Sequence, residues 1–214
     1  MVPETVYLHY LDALLSGDKN QCTLIVTNLL NKNASIKEIY MDLFQRSMYR
    51  IGQMWERKKC SIADEHIATN ITQSLIEFVR ANSIATNNSS RLALITCLDK
   101  EHHELGARMV SGYLEANGWQ TIFIGSNVPQ NTIIETIRDK KPDLIGISSS
   151  FYINLIRIYK LIQAIKEDFY DLEIIVGGQA FRLEGGEGVS GYHKVKYITC
   201  LNGLEIYLQK YHHN

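Results

Sequence analysis

The sequence has almost no net charge and no closely spaced cysteines. Its 22 basic and 23 acidic residues leave a formal net charge of -1, so no overall positive field attracts nucleic acid or an anionic membrane. The cysteines, Cys22, Cys60, Cys97 and Cys200, are too scattered for a zinc site or a redox dithiol. We therefore expect reduced thiols and no direct binding of nucleic acid.

Long apolar runs are also absent. No stretch of 18 apolar residues occurs, and the chain does not start with a basic region followed by an apolar segment and a cleavage site. This pattern predicts a cytoplasmic protein without a membrane span. Hydrophobic residues make up 45% of the chain, which is typical of globular proteins and predicts that the whole chain folds.

Proline is scarce, and the first half of the chain contains only Pro3. Apolar residues repeat there at helical spacing through about residue 85. We predict a four-helix bundle with helices over about 3–15, 19–31, 35–57 and 61–85. Gly17 suits a helix end, Asp18 suits a helix start, and Ser35 with Glu38 has the spacing of a capping box. The predicted core faces comprise Ile39, Leu43, Met48, Ile51 and Trp55 in the third helix, and Ile67, Ile71, Leu75, Ile76 and Val79 in the fourth.

The hydrophobic period changes in the second half. Short apolar runs at 92–97, 121–124, 144–148, 174–176 and 195–199 alternate with amphipathic segments of helical length. This alternation predicts a five-stranded parallel sheet covered by helices on both faces, with ligands bound at the carboxyl ends of the strands. We expect a helical domain over 1–86, a linker over 87–90, an α/β domain over 91–214 and a mobile glycine-rich loop over 184–191.

Histidines and acids crowd the loop after the first predicted strand. An imidazole can bind a transition metal through one nitrogen while a carboxylate accepts the proton on the other, and Glu101 and His103 have a suitable spacing. An alternative is a polar loop whose acids favour the start of the next helix. A hydrolytic metal site is a third interpretation, but the spacing is not His-Glu-x-x-His.

This loop resembles the signature of cobalamin-binding domains, Asp-x-His-x-x-Gly, in the form Glu101-x-His103-x-x-Gly106. The segments Leu114 to Trp119 and Gly125 to Pro129 also resemble that family. The resemblance implies a flavodoxin-like (Rossmann-type) α/β domain behind a helical cap. It further implies that His103 is the lower axial ligand of cobalt, replacing the cofactor's own dimethylbenzimidazole.

In the family that this loop resembles, the displaced nucleotide tail enters a slot lined by small residues. The resemblance places Ser148, Ser150, Gly177 and Gly178 along the tail, where a larger side chain would block close approach of the backbone. Ordinary turn glycines and helix-capping serines are the alternative for either segment alone.

The helical domain carries a second resemblance, in Trp55 followed after nine residues by Glu65 and His66. This spacing is similar to the Trp-x9-Glu-His motif of adenosylcobalamin-dependent photoreceptor regulators, including light-sensing repressors of carotenoid synthesis. The resemblance implies that the indole packs over the upper ligand while Glu65 and His66 bind an adenosyl ribose. Adenosylcobalamin is then the preferred cofactor, with methylcobalamin or hydroxocobalamin as alternatives. The alternative is that Trp55 is an ordinary core residue and that Glu65 and His66 are an ordinary pair at the start of a helix.

Two features depart from those regulators. The chain starts directly with the cap, so we expect no winged-helix domain to bind DNA, and Glu56 replaces their second axial histidine. The leading hypothesis is a stand-alone cobalamin sensor, not an enzyme, that signals light or ligand to a regulatory protein partner or by self-association. The alternative is a corrinoid carrier subunit of a methyltransferase system. A module that has lost the cofactor, or that binds heme instead, is a third possibility.

Overall fold

The computed structural model describes residues 1–83, 90–182 and 185–211. The chain divides into two compact units, Met1–Ile84 and Ala85–Asn214. The predicted linker lies outside the described residues except for Ser90, and so do the last residues of the predicted fourth helix and the start of the predicted glycine-rich loop. The domain boundaries at 86 and 91 therefore stay a prediction.

The first unit is helical, as its hydrophobic period predicts. Helix α3 joins three consecutive segments, of which the middle one is a π-helix with wider turns. The helices are α1 (Glu4–Leu15), α2 (Lys19–Asn31), α3 (Ile36–Glu38, Ile39–Gln45 and Arg46–Glu56) and α4 (Ile62–Ala81).

Side-chain caps fix where these helices begin. The Asp18 carboxylate accepts a hydrogen bond from the backbone N–H of Gln21 at 2.9 Å. Ser35 and Glu38 form the predicted capping box, and Ser61 and Asp64 form a second one. Each box satisfies helix N–H groups that have no partner within the helix.

Two predicted core positions of this unit are wrong. Trp55, in the last turn of α3, is 47% exposed, and Ile67 is similarly exposed. A Cβ atom on Gly17 would lie 3.3 Å from Ile67 Cγ2, so Ile67 packs beside the α1–α2 turn rather than in the core. In α3, Ser47 is fully buried, whereas Met48 is only partly buried.

The second unit is an α/β domain with a five-stranded parallel sheet, which confirms the predicted fold class. The strand order is β2-β1-β3-β4-β5. The last strand ends two residues earlier than predicted. The strands are β1 (Leu92–Leu98), β2 (Gln120–Val128), β3 (Leu144–Ser148), β4 (Glu173–Gly177) and β5 (Val195–Tyr197).

Helices follow β1, β2, β3 and β5 and bury both faces of the sheet. Ile145 and Ile147 alternate with Gly146, and they pack on the side that holds the buried residues of α6 and α7. Ala93, Ile95 and Cys97 of β1 point the other way and are also buried. The helices are α5 (Leu105–Ala116), α6 (Gln130–Lys140), α7 (Leu155–Asp168) and α8 (Leu201–Leu208).

The strand order creates a crevice at the carboxyl edge of the sheet. The chain moves from β1 to β2 on one side, and β3 then pairs with the opposite side of β1. Loops diverge at such a switch point and leave room for a ligand. Cys97 pairs with Ser148, and Ser148 pairs with Gly177, so the loops after β1, β3 and β4 begin side by side. In the described part of the chain, no helix is long and apolar enough to cross a membrane.

Candidate functional site

A tight turn after β1 directs Glu101 into the protein. The Glu101 N–H donates to the Leu98 carbonyl at 3.1 Å. Lys100 adopts a positive φ of 63°, and its N–H donates to Asn127 Oδ1 at 2.9 Å. The turn is therefore tied to the end of β2, and the Glu101 side chain is fully buried.

The Glu101 carboxylate holds His103 through one oxygen. Oε1 lies 2.9 Å from His103 Nδ1 and accepts the His103 backbone N–H at 3.0 Å. The ring also meets the Phe151 ring edge-on, with 4.7 Å between the centroids. The predicted Glu101–His103 pair thus exists in the structure, and backbone, carboxylate and aromatic contacts fix the position of the imidazole.

The other carboxylate oxygen is anchored by the loop after β3. Oε2 accepts hydrogen bonds from Ser149 Oγ at 2.7 Å, the Ser150 N–H at 2.8 Å and Asn154 Nδ2 at 3.2 Å. Burial by itself raises the pKa of Glu101, but the hydrogen bonds from His103, Ser150 and Ser149 outweigh it and lower the pKa to about 2. Glu101 is therefore ionised at neutral pH.

An ionised Glu101 determines which nitrogen of His103 carries the proton. A carboxylate can only accept hydrogen bonds, so Nδ1 must carry the proton. In the neutral imidazole the lone pair is then on Nε2. The His103 side chain is 55% exposed. A hydrogen bond from one ring nitrogen to a carboxylate is also how metal-binding histidines are commonly oriented.

We predict that Glu101 contributes to stability above its ordinary pKa. The folded-state pKa is lowered from 4.5 to about 2, so the contribution is complete above about pH 4.5 and is lost as the pH falls towards 2. Glu101→Gln should lower the free energy of unfolding at pH 7, and its deficit relative to wild type should shrink on acidification. Urea unfolding at several pH values measures both; a deficit that does not change with pH would contradict the low pKa.

Gly106, in the first turn of α5, lies near Ser148. A Cβ atom on Gly106 would be 3.9 Å from Ser148 Oγ, which is ordinary van der Waals distance. The protein itself therefore has room for a side chain at this exposed position. Folding does not explain the glycine, and the free space suits a ligand that approaches the backbone closely.

Gly177 and Gly178 have an internal packing role besides any contact with a ligand. A Cβ atom on Gly178, whose φ is 103°, would lie 2.1 Å from the Ser149 carbonyl oxygen. A Cβ atom on Gly177 would lie 3.2 Å from the Ile198 carbonyl oxygen. The Ser149 N–H also donates to the Gly177 carbonyl at 3.1 Å. Gly178 thus lets the backbone around Ser149 pack against the end of β4, and Gly177 lets the backbone at Ile198 approach the same strand closely.

Sequence reasoning missed Ser149 and Asn154. It selected Ser148 and Ser150, yet Ser150 contributes a backbone N–H and Ser149 contributes the buried hydroxyl. Strand alternation gives no guide here because β3 ends at Ser148. No motif in the sequence singles out Asn154.

We predict that Gly106→Ala leaves the fold intact but weakens ligand binding. Alanine favours a helix by up to about 1 kcal/mol over glycine, and its Cβ meets no close atom of the protein. Calorimetric titration with cobalamin beside thermal unfolding separates the two effects. Unchanged affinity in the folded variant would mean that Gly106 does not face the ligand.

In the helical unit, the structure brings Glu65 and His66 together. His66 Nε2 lies 3.6 Å from Glu65 Oε2, and Glu65 Oε1 accepts a hydrogen bond from Thr69 at 2.9 Å. Among the residues the structure describes, the Trp55 indole has no hydrogen bond, and no ring or polar contact joins it to this pair. The predicted pocket of all three residues stays a prediction.

Protein-family models identify both halves of the chain. Residues 91–190 match a model described as a B12 binding domain, and residues 8–80 match a second model of the same description. The chain is a cobalamin-binding protein. The cofactor predicted from the Glu101 to Gly106 motif is thus confirmed at the level of cobalamin, whereas the role of each residue is not tested by these matches.

The relatives of this cobalamin-binding protein include corrinoid proteins of Methanosarcina species. It is 23% identical to dimethylamine corrinoid protein 1 of Methanosarcina mazei over 145 residues, which is 66% of this chain and 67% of that protein. The monomethylamine corrinoid protein of Methanosarcina barkeri has the same fold, with a TM-score of 0.81 at 15% identity, covering 98% of this chain and all of that one.

A more distant structure is the methanol:cobalamin methyltransferase complex of Methanosarcina barkeri. It has a TM-score of 0.51 at 14% identity and covers 98% of this chain and 80% of the matched chain. Such identities show the fold alone. None of these three relatives is a photoreceptor regulator, so the resemblance based on Trp55, Glu65 and His66 gains no support from them.

Proposed function

We propose that this protein is the corrinoid carrier of a methyltransferase system, with His103 as the lower axial ligand of cobalt. The observation that carries the proposal is the contact of 2.9 Å between His103 Nδ1 and the buried Glu101 carboxylate. It leaves Nε2 as the nitrogen that can bind cobalt. The names of the relatives, which are corrinoid proteins for methylamines, support the carrier over the sensor.

The residues at the carboxyl edge of the sheet fit a large, partly apolar cofactor. His103 offers a metal-binding nitrogen, and Gly106 leaves space for close approach. Phe151, Tyr152 and Ile153, which follow β3, are exposed although they are apolar or aromatic, and exposed apolar groups beside a polar site are typical of ligand-binding surfaces. Bound cobalamin would supply a cobalt atom that accepts and releases a methyl group.

The protein's own part in this function is to hold and orient. The β1 turn and the β3 loop together fix the Glu101 carboxylate, and the carboxylate fixes the tautomer and the plane of His103. Hydrogen bonding to a carboxylate raises the basicity of the imidazole and strengthens its bond to a metal. Ser148 and Gly177 lie in register at the ends of β3 and β4, where we place the nucleotide tail.

A carrier must leave the upper face of the cofactor open to partner methyltransferases. We therefore propose a methyltransferase as the protein partner, in place of a regulatory protein. Glu56, at the position where photoreceptor regulators have a histidine, is consistent with this choice because a carboxylate is a poor substitute for imidazole as a cobalt ligand.

We predict similar affinities for methylcobalamin, hydroxocobalamin and adenosylcobalamin, and no change of oligomeric state after green light. Calorimetric titration and size-exclusion chromatography in the dark and after illumination measure these properties. Strong preference for adenosylcobalamin, lost in Trp55→Ala, together with a light-dependent change of oligomeric state, would instead support the sensor. Because Trp55 is half exposed, this variant should remain folded.

A further inference from the structure

Asn154 stands where a helix-capping side chain would be expected, but it does not cap. It precedes α7, and its side chain accepts no hydrogen bond from the first turn of that helix. Asparagine at this position usually accepts such a bond and stabilises the helix by about 1 kcal/mol. Here the side chain is only 4% exposed, and its amide nitrogen donates to Glu101 Oε2 at 3.2 Å.

Electrostatics explains why the Asn154 amide points towards Glu101. Glu101 is a fully buried carboxylate, and a buried charge is costly unless donors surround it. A hydrogen bond to a charged group is worth more than one to a neutral helix N–H. The loss of the helix cap is thereby offset, and the short turn Tyr152–Asn154 is tied to the carboxylate.

The same turn contacts the imidazole directly. Phe151 packs edge-on against the His103 ring, and the Asn154 N–H donates to the Phe151 carbonyl at 3.0 Å. One short segment thus holds the ring through Phe151 and the carboxylate through Asn154. A displaced Asn154 would loosen both partners of the Glu101–His103 pair.

We propose that Asn154 is a positioning residue for His103, acting through Glu101, and that it strengthens the binding of His103 to cobalt. This inference rests on the proposed role of His103 as the axial ligand. Asn154 touches neither the imidazole nor, in the proposal, the cofactor. Its effect is to keep Glu101 Oε1 directed at Nδ1, which keeps the lone pair on Nε2.

The test begins with the protein without cobalamin, because the tautomer of His103 can be measured there. In wild type, ¹⁵N NMR of the neutral imidazole should show the proton on Nδ1. Asn154→Leu has a similar size but no donor, and we expect a mixture of tautomers. Ile156→Ala, in the first turn of α7 and 67% exposed in wild type, is the matched control and should leave the tautomer unchanged.

The second readout is the bound cofactor. We expect Asn154→Leu to weaken cobalamin binding about tenfold, the lower end of the range for residues that orient a metal-binding histidine. The visible spectrum should show a larger fraction without histidine coordination. In a Glu101→Gln background, Asn154→Leu should add little, because both changes interrupt the same path. If the leucine variant does not fold, Asn154→Ser is used in the same measurements, because the serine side chain is too short for its hydroxyl to reach Glu101.

The outcomes separate this inference from the proposed function. If a folded Asn154 variant keeps the wild-type tautomer, affinity and spectrum, or if its effect is fully additive with Glu101→Gln, the positioning role is wrong and the function can still hold. If the tautomer changes in Asn154→Leu but wild type binds cobalamin without histidine coordination, the positioning of the imidazole is supported while the proposed ligand fails.

Discussion

His103→Ala is expected to abolish coordination of cobalt by the protein and to weaken cobalamin binding by at least about 100-fold. Loss of a side chain that only orients a metal-binding histidine already weakens metal binding by up to about 100-fold, and this substitution removes the ligand itself. The reason is structural: Glu101 presents only the imidazole of His103 for this role, with Nδ1 held at 2.9 Å. Titration followed by visible absorption measures both effects.

The neighbouring histidine provides a matched control. His102 is exposed and lies in the same loop, so His102→Ala removes an equal side chain without touching the Glu101 carboxylate. It should bind cobalamin like wild type. A normal spectrum in His103→Ala, or an equal loss in both variants, would remove His103 as the ligand.

Gly178→Ala should be the most destabilising small substitution in the α/β domain. The residue has φ 103° and ψ 175°, a region that is accessible only to glycine and costs about 1 to 3 kcal/mol for other residues. Its Cβ would also lie 2.1 Å from the Ser149 carbonyl oxygen, a backbone atom that cannot rotate away. Overpacking of this kind costs about another 1 to 3 kcal/mol.

Urea unfolding of Gly178→Ala beside Gly106→Ala tests this expectation. Both variants add one methyl group near the carboxyl edge of the sheet, but only the first meets the backbone. We expect a large loss of stability for Gly178→Ala and none for Gly106→Ala. Similar stabilities would show that the β4 loop adapts easily, and the packing role of Gly178 would then be wrong.

Much of the fold follows from local sequence patterns. The change from helical to strand spacing near residue 90 separates two kinds of structure, and residues such as Asp18 and Ser35 mark helix starts because their side chains cap locally. The Glu101–His103 pair was also predictable, since the two residues are separated by one position in a loop after a strand. Interactions within a few residues leave a pattern that can be read directly.

Contacts across the fold leave no such pattern. Ser149 and Asn154 meet Glu101 from 48 and 53 residues away, and only the pairing of β1 with β3 brings them close. Helical spacing alone also does not separate Ser47, which is fully buried, from Met48, which is only partly buried. Ile67 lies beside the turn at Gly17, a neighbour that the pattern of its own helix does not reveal.

The biological role was the least predictable part. The motif with Glu101, His103 and Gly106 concerns how the cofactor is held, and carriers and sensors can share that arrangement on one fold. The choice between them depended on three cap residues, Trp55, Glu65 and His66. The relatives instead favour the carrier, which the sequence suggested only as the alternative.

The most direct test of the account is the electron paramagnetic resonance spectrum of the Co(II) form bound to protein in which only histidine is labelled with ¹⁵N. An axial ¹⁴N ligand splits each cobalt line into a triplet, whereas an axial ¹⁵N ligand gives a doublet. Coordination by His103 predicts a doublet in the labelled protein and a triplet in the unlabelled protein, with the doublet absent in labelled His103→Ala. A triplet in the labelled wild-type protein would show that the ligand is the cofactor's own base and would contradict the account.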